Sequence, residues 1–95
     1  MSLAEIRMAH IRGALIGLLC EGTKANDSVL HDAVTALRAV TCSRDQVRAA
    51  LRWLEEQGLI SIEKVGDYLV AQISQRGIDF EEGRIVLDGI KRRAR

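Results

Sequence analysis

Over residues 3–20 apolar side chains recur at helical spacing, with Met8, Ile11, Leu15, Leu18 and Leu19 on one side of the expected helix. A second side carries Ile6, Ala9, Gly13, Ile16, Gly17 and Cys20, small or apolar where a surface helix would be charged. Glycine inside a helix costs about 1 kcal/mol relative to alanine, so Gly13 and Gly17 imply a backbone packed closely against them. That neighbour is either the chain's own last helix or a second copy, and Ile6, Ala9, Gly13, Ile16 and Gly17 form the expected homodimer face. Residues 21–25 read as a loop, after which one of Asn26, Asp27 or Ser28 caps a second helix ending near Ala39. Its apolar stripe is Val29, Leu30, Ala33, Val34 and Leu37, with His31 and Arg38 pointing away.

A short turn over residues 40–42 leads to a third helix marked at both ends. Ser43 with Gln46 three residues later is a capping box, and Gly58 supplies the left-handed residue that stops the helix. Val47, Ala50, Leu51 and Leu54 share its apolar side, leaving Arg44, Asp45, Arg48, Arg52 and Glu55 toward solvent. The period then changes to two over residues 59–64, Gly66-Asp67 suits a tight turn, and residues 68–73 return as a second strand, with Tyr68 packing at the hairpin base. Ser74 caps a short helix over residues 75–82, and Gly83 ends it.

Three helices with a short second turn, followed by a hairpin, make the fold mainly α with a β-hairpin: a winged helix-turn-helix whose third helix is the reading helix. The segment Leu51-Arg52-Trp53-Leu54-Glu55-Glu56-Gln57-Gly58-Leu59-Ile60 resembles the end of the recognition helix and the first wing strand of many bacterial winged-helix regulators. More narrowly, that segment, Ser43-Arg44-Asp45-Gln46-Val47-Arg48, Ser74-Gln75-Arg76-Gly77 and Gly89-Ile90-Lys91-Arg92 resemble a family of small proteins from Mu-like phages and prophages, likened to the ArsR regulators. The resemblance covers nearly the whole chain and implies a winged helix. It implies no particular chemistry, because fold alone does not set function.

Ninety-five residues suffice for one domain with a modest core. The apolar share of 47% against 28% charged is a globular balance, so the chain is expected to fold. No run is long enough for a membrane span, and His10 and Arg12 interrupt the first apolar stretch, which argues against a secretory leader and for a cytoplasmic location. The net charge of +1 hides an asymmetry: residues 1–83 carry nine basic and twelve acidic side chains, whereas residues 84–95 carry five basic and one acidic. Residues 1–83 are accordingly read as the domain and 84–95 as a basic tail able to touch phosphates.

Arg44, Arg48 and Arg52 lie four apart, in one row along the third helix. Arginine suits DNA because its planar fork pairs bidentately with guanine or phosphate. The candidate double-stranded DNA contacts are Arg44, Asp45, Arg48, Arg52 and Lys64, with Lys91, Arg92 and Arg93 of the tail. Replacing the three arginines is expected to leave the core intact and stability nearly unchanged. Residues 43–64 hold four basic and four acidic side chains, and the wing tip is acidic, so binding is expected to be weak and sensitive to salt. The competing reading is an adaptor for a phage or host protein, with a reading face that charge balance has neutralised.

Metal sensing would need converging thiolates or imidazoles. Cys20, Cys42, His10 and His31 show no such spacing, and the cysteines read as small buried hydrophobes. No glycine-rich phosphate loop, zinc-protease motif or activated nucleophile is present, so neither an enzyme nor a cofactor is expected. Trp53, on the flank of the third helix, is expected to pack against the first helix or the wing.

Overall fold

The computed structural model describes residues 2–37 and 41–92. The expectations placed on Arg38, Ala39, Val40 and Arg93 lie outside the described residues. Element order is α1 (Leu3–Gly22), β1 (Lys24–Asn26), α2 (Asp27–Leu37), α3 (Arg44–Glu56), β2 (Ile60–Val65), β3 (Tyr68–Ile73) and α4 (Gln75–Glu81). The fold is the expected winged helix-turn-helix, with one strand more than the hairpin alone.

That extra strand corrects the loop expected over residues 21–25. Thr23, in a positive-φ conformation (φ 65°), turns the chain off α1, and its carbonyl accepts from Ile73 N–H at 3.0 Å. Lys24, Ala25 and Asn26 then pair antiparallel with Gln72, Ala71 and Val70, giving the sheet order β1-β3-β2. The hairpin register runs from Ile60 opposite Ile73 to Val65 opposite Tyr68. Gly66 (φ 59°) takes the positive-φ first position of its two-residue turn. Tyr68 therefore sits beside the turn, half exposed, rather than at the hairpin base.

α1 is the central helix. Ala9, Ile11, Ala14, Leu15, Ile16 and Leu19 are all buried, and α2, α3, α4 and the sheet pack around them, as expected of a helix apolar on nearly every side. The glycine face is covered from within the chain. Lys91 N–H donates to the Ala9 carbonyl at 3.0 Å, and a Cβ on Gly13 would run into the Lys91 carbonyl oxygen. This corrects the expected dimer face: Ala9, Gly13, Ile16 and Gly17 are buried in a single chain, and only Ile6 stays exposed. It also corrects the domain boundary at residue 83. Ile85, Leu87 and Ile90 pack on the core, so residues 84–92 are a strap on the domain and not a free tail.

In α2 the inward side differs from the stripe expected. Asn26 is the cap, its Oδ1 accepting from Val29 N–H at 2.9 Å. Asp27, Leu30 and Val34 then point inward, which turns Val29 (55% exposed) and Leu37 (53%) out. His31 does not point away either, since its Nε2–H donates to the Cys42 carbonyl at 2.9 Å and ties α2 to the start of α3.

Candidate nucleic-acid interface

α3 owes its placement to local sequence. The Ser43 hydroxyl accepts from Gln46 N–H (3.1 Å) while the Gln46 side chain accepts from Ser43 N–H (2.9 Å), so two N–H groups of the first turn are satisfied. Gly58 (φ 75°) turns the chain into β2. Val47, Ala50, Leu51 and Leu54 are fully buried, which fixes the rotation of the helix and leaves Arg44, Asp45, Arg48 and Arg52 on the side away from the core.

Beneath that side lies an acid that the sequence presents only as one of three possible helix caps. Asp27, the first residue of α2, has no solvent exposure. Its Oδ1 accepts from Leu69 N–H at 3.2 Å, and its Oδ2 lies 3.4 Å from Arg44 Nε and 2.9 Å from Arg48 Nε. Burial pushes this carboxyl up, but the Arg44 and Leu69 hydrogen bonds and the charges of Arg44 and Arg48 outweigh it, holding Asp27 below the usual carboxylate range. One side chain thus joins α2, α3 and β3. The arginine row is therefore no freely solvated stripe, and the expectation that removing it hardly touches stability does not survive: Arg44 and Arg48 neutralise a buried charge.

Arg48 reaches further, donating from Nη2 to the Asp67 carbonyl in the hairpin turn at 2.9 Å. Arg44 lies over the Tyr68 ring, 5.3 Å from its centroid. Arg52 pairs through Nη1 with Glu55 Oε1 at 3.3 Å. Lys64 faces α3 from β2. Together these residues line two adjoining open grooves between α3 and the wing, one of about 450 Å³ bounded by Asp45, Arg48, Ala49, Arg52, Lys64 and Leu69, and one of about 380 Å³ that also takes in Arg44 and Asp67. Five of the expected DNA contacts, Arg44, Asp45, Arg48, Arg52 and Lys64, therefore come together.

Lys91 and Arg92 do not join them. Lys91 is bonded to α1 at Ala9, and Arg92 lies against Gly83 at the end of α4. The apolar residues threaded through this segment hold it on the core despite its basic charge. Trp53 is involved in holding the strap: Arg12 stacks on its ring at 4.3 Å and donates from Nη1 to the Gly89 carbonyl at 2.8 Å. Trp53 thus packs against α1 and the strap together.

Cys20 and Cys42 are half-buried free thiols, and burial pushes the Cys42 thiol up, away from the thiolate form. Among the described residues no three His, Cys, Asp or Glu side chains are grouped so as to hold a metal ion. No helix among them is long and apolar enough to cross a membrane.

The crystal structure of a possible transcriptional regulator for arsenical resistance superposes on this chain with a TM-score of 0.60 at 22% identity, covering 90% of this chain and 88% of that one. At that identity the likeness is one of fold. No protein-family model matches the chain. In sequence it is 44% identical over 78 residues to an uncharacterized protein of Haemophilus influenzae, covering 80% of this chain and 76% of the relative. It is also 39% identical over 69 residues to the uncharacterized protein gp26 of Escherichia phage Mu, covering 73% of this chain and 71% of that protein. The chain belongs to the family of phage Mu gp26 and its Haemophilus influenzae relative.

Proposed function

We propose that this chain is a cytoplasmic DNA-binding protein of phage or prophage gene control, a binder rather than an enzyme, which sets α3 against double-stranded DNA with the β2–β3 wing alongside. The observation that carries this reading is the gathering of Arg44, Arg48, Arg52 and Lys64 on one face while the acid that balances two of them, Asp27, is buried beneath it. The regulator-like fold and the phage relative support it. Asp45, Glu55 and Asp67 share the face, so affinity is modest, and it falls with salt by a slope set by the phosphates the four cations contact. A fluorescence-anisotropy titration against the DNA flanking the gene, at low and moderate salt, tests it. Arg52 and Lys64 do not touch Asp27, so the double variant Arg52→Ala, Lys64→Ala keeps its melting temperature while the salt slope drops by roughly two units. A parent that binds no duplex at low salt ends this reading.

An adaptor function draws on a different observation at the same place. Val65 and Tyr68 are about half exposed at the wing tip, interleaved with Asp67 and close to Asp45, a mixture suited to a protein partner. Loss of DNA binding in the titration above would move the search to this surface.

Pairing of two copies through α1, as part of the DNA reading, is left with the exposed N-terminal end of that helix, because Ala9, Gly13, Ile16 and Gly17 are buried within the chain. Leu3 and Ile6 are the exposed apolar side chains there. Light scattering on the parent and on Leu3→Glu, Ile6→Glu is expected to show a dimer turning into a monomer with no change in melting temperature. A monomeric parent at high micromolar concentration removes the dimer from the proposal.

A further inference from the structure

We propose that Arg44 is the residue that reads sequence, that it recognises the major-groove edge of a guanine, and that Asp27 and Tyr68 are the positioning residues that aim it. This rests on the DNA-binding reading above. The three arginines of α3 are not equivalent in what their nitrogens have left to offer. Arg48 has Nε in ion-pair contact with Asp27, though not hydrogen-bonded to it, and Nη2 on the Asp67 carbonyl, so it is a strut from α3 to the wing with one terminal nitrogen unbonded among the described residues. Arg52 has Nη1 on Glu55. Arg44 alone among them is held through Nε, by Asp27, with neither Nη1 nor Nη2 bonded to another described residue.

Those two terminal nitrogens form the fork that guanine O6 and N7 accept together. Its direction is set from two sides. The Asp27 carboxylate accepts from Nε at 3.4 Å, and the guanidinium carbon lies over the Tyr68 ring, 5.3 Å from its centroid and within the range of a cation–π contact. Asp27 is itself immobile, being fully buried and accepting from Leu69 N–H. Arg44 is also the first residue of α3, the end of a reading helix whose side chains reach base edges. A lysine here would keep the positive charge but lose the planar fork.

The arrangement separates specificity from affinity. The carboxylate adds a negative charge close to the DNA, which opposes non-specific binding, and in return it orders the arginine whose terminal fork is left to pair with guanine. Asp27→Asn therefore leaves binding to arbitrary duplex unchanged or tighter while weakening discrimination. A merely structural lesion would weaken both.

The test starts from duplexes that the parent selects from a randomised pool. Each is then compared with the same duplex carrying adenine, or 7-deazaguanine, which lacks the N7 acceptor, at the selected guanine. The parent is expected to prefer the guanine duplex by about tenfold to a hundredfold. Arg44→Lys should bind arbitrary duplex like the parent and lose that preference. Asp27→Asn should reduce the preference without loss of arbitrary-duplex binding, and combining the two should add nothing further. If Asp27→Asn does not fold, Tyr68→Leu at the exposed wing position takes its place, with the same split expected. A guanine preference that survives Arg44→Lys overturns the proposal, as does an equal loss on every duplex in Asp27→Asn. A parent that binds all duplexes without preferring guanine overturns it while leaving the DNA-binding reading intact. A parent that binds no duplex removes both.

Discussion

Replacing Asp27 with alanine is expected to destabilise the domain by about 2–3 kcal/mol, which for a chain of this size lowers the melting temperature by roughly 10–20 °C. Most of that cost comes from the backbone. The Leu69 N–H in the sheet interior loses its acceptor, and a buried donor left unsatisfied costs about 1–3 kcal/mol. The ion pairs contribute less than their number suggests, because the side chains of Arg44 and Arg48 are 45% and 36% exposed and water takes over their solvation. Asp27→Asn keeps an oxygen for Leu69 and is expected to lose roughly half as much. Thermal melts of the two variants separate these contributions, and an alanine variant as stable as the parent would show that Asp27 holds nothing together.

The same residue predicts an acid limit. Asp27 is held below its ordinary value in the folded chain, so the unfolded chain takes up a proton first as pH falls. Its stabilisation is fully present above the ordinary carboxylate pKa of about 4 and is lost as pH drops through the lowered folded value. Below about pH 4 the parent's melting temperature should therefore fall more steeply than that of Asp27→Asn, which has no such proton to bind.

What could be read from the sequence was whatever is written locally. The Ser43–Gln46 box, Gly58, the Gly66 turn and the Ser74 cap each depend on a few adjacent residues, and each of them stands where its spacing placed it. β1 was not legible because three residues carry no period, and it exists only because one edge of β3 is open to pair with it. Asp27 was hidden for a related reason. Asn26, Asp27 and Ser28 are interchangeable as caps, and only the approach of α3 and β3 shows that the second of them is buried. The arginines of α3 were visible as a row four apart, but which of their nitrogens are already committed depends on Asp67 and Asp27, 19 and 17 residues away from their partners Arg48 and Arg44. The strap was hidden behind the basic charge of residues 84–95, since Ile85, Leu87 and Ile90 follow neither a helix nor a strand period.

Gly13→Ala should separate the two explanations of the glycines in α1 by the sign of its effect. In a helix face open to solvent, alanine would stabilise by about 1 kcal/mol. Here the new methyl meets the backbone carbonyl of Lys91, which cannot swing aside as a side chain can. Relief requires the strap to lift, breaking the bond from Lys91 N–H to the Ala9 carbonyl and drawing Ile90 out of the core. Exposing one such side chain costs about 1.5–3 kcal/mol, to which the lost hydrogen bond adds about 1. Against the gain of about 1 kcal/mol in helix propensity, the net expectation is a loss of about 1.5–3 kcal/mol. Trp53 reports the event directly. It is the chain's single tryptophan and lies under Gly89 and Arg12, so lifting the strap should shift its fluorescence to the red, and limited trypsin digestion should cut near Arg84 and Lys91 sooner than in the parent. A variant that melts higher than the parent, with unshifted fluorescence, would mean that the strap does not sit on α1, and the glycine face would again be open to a second copy.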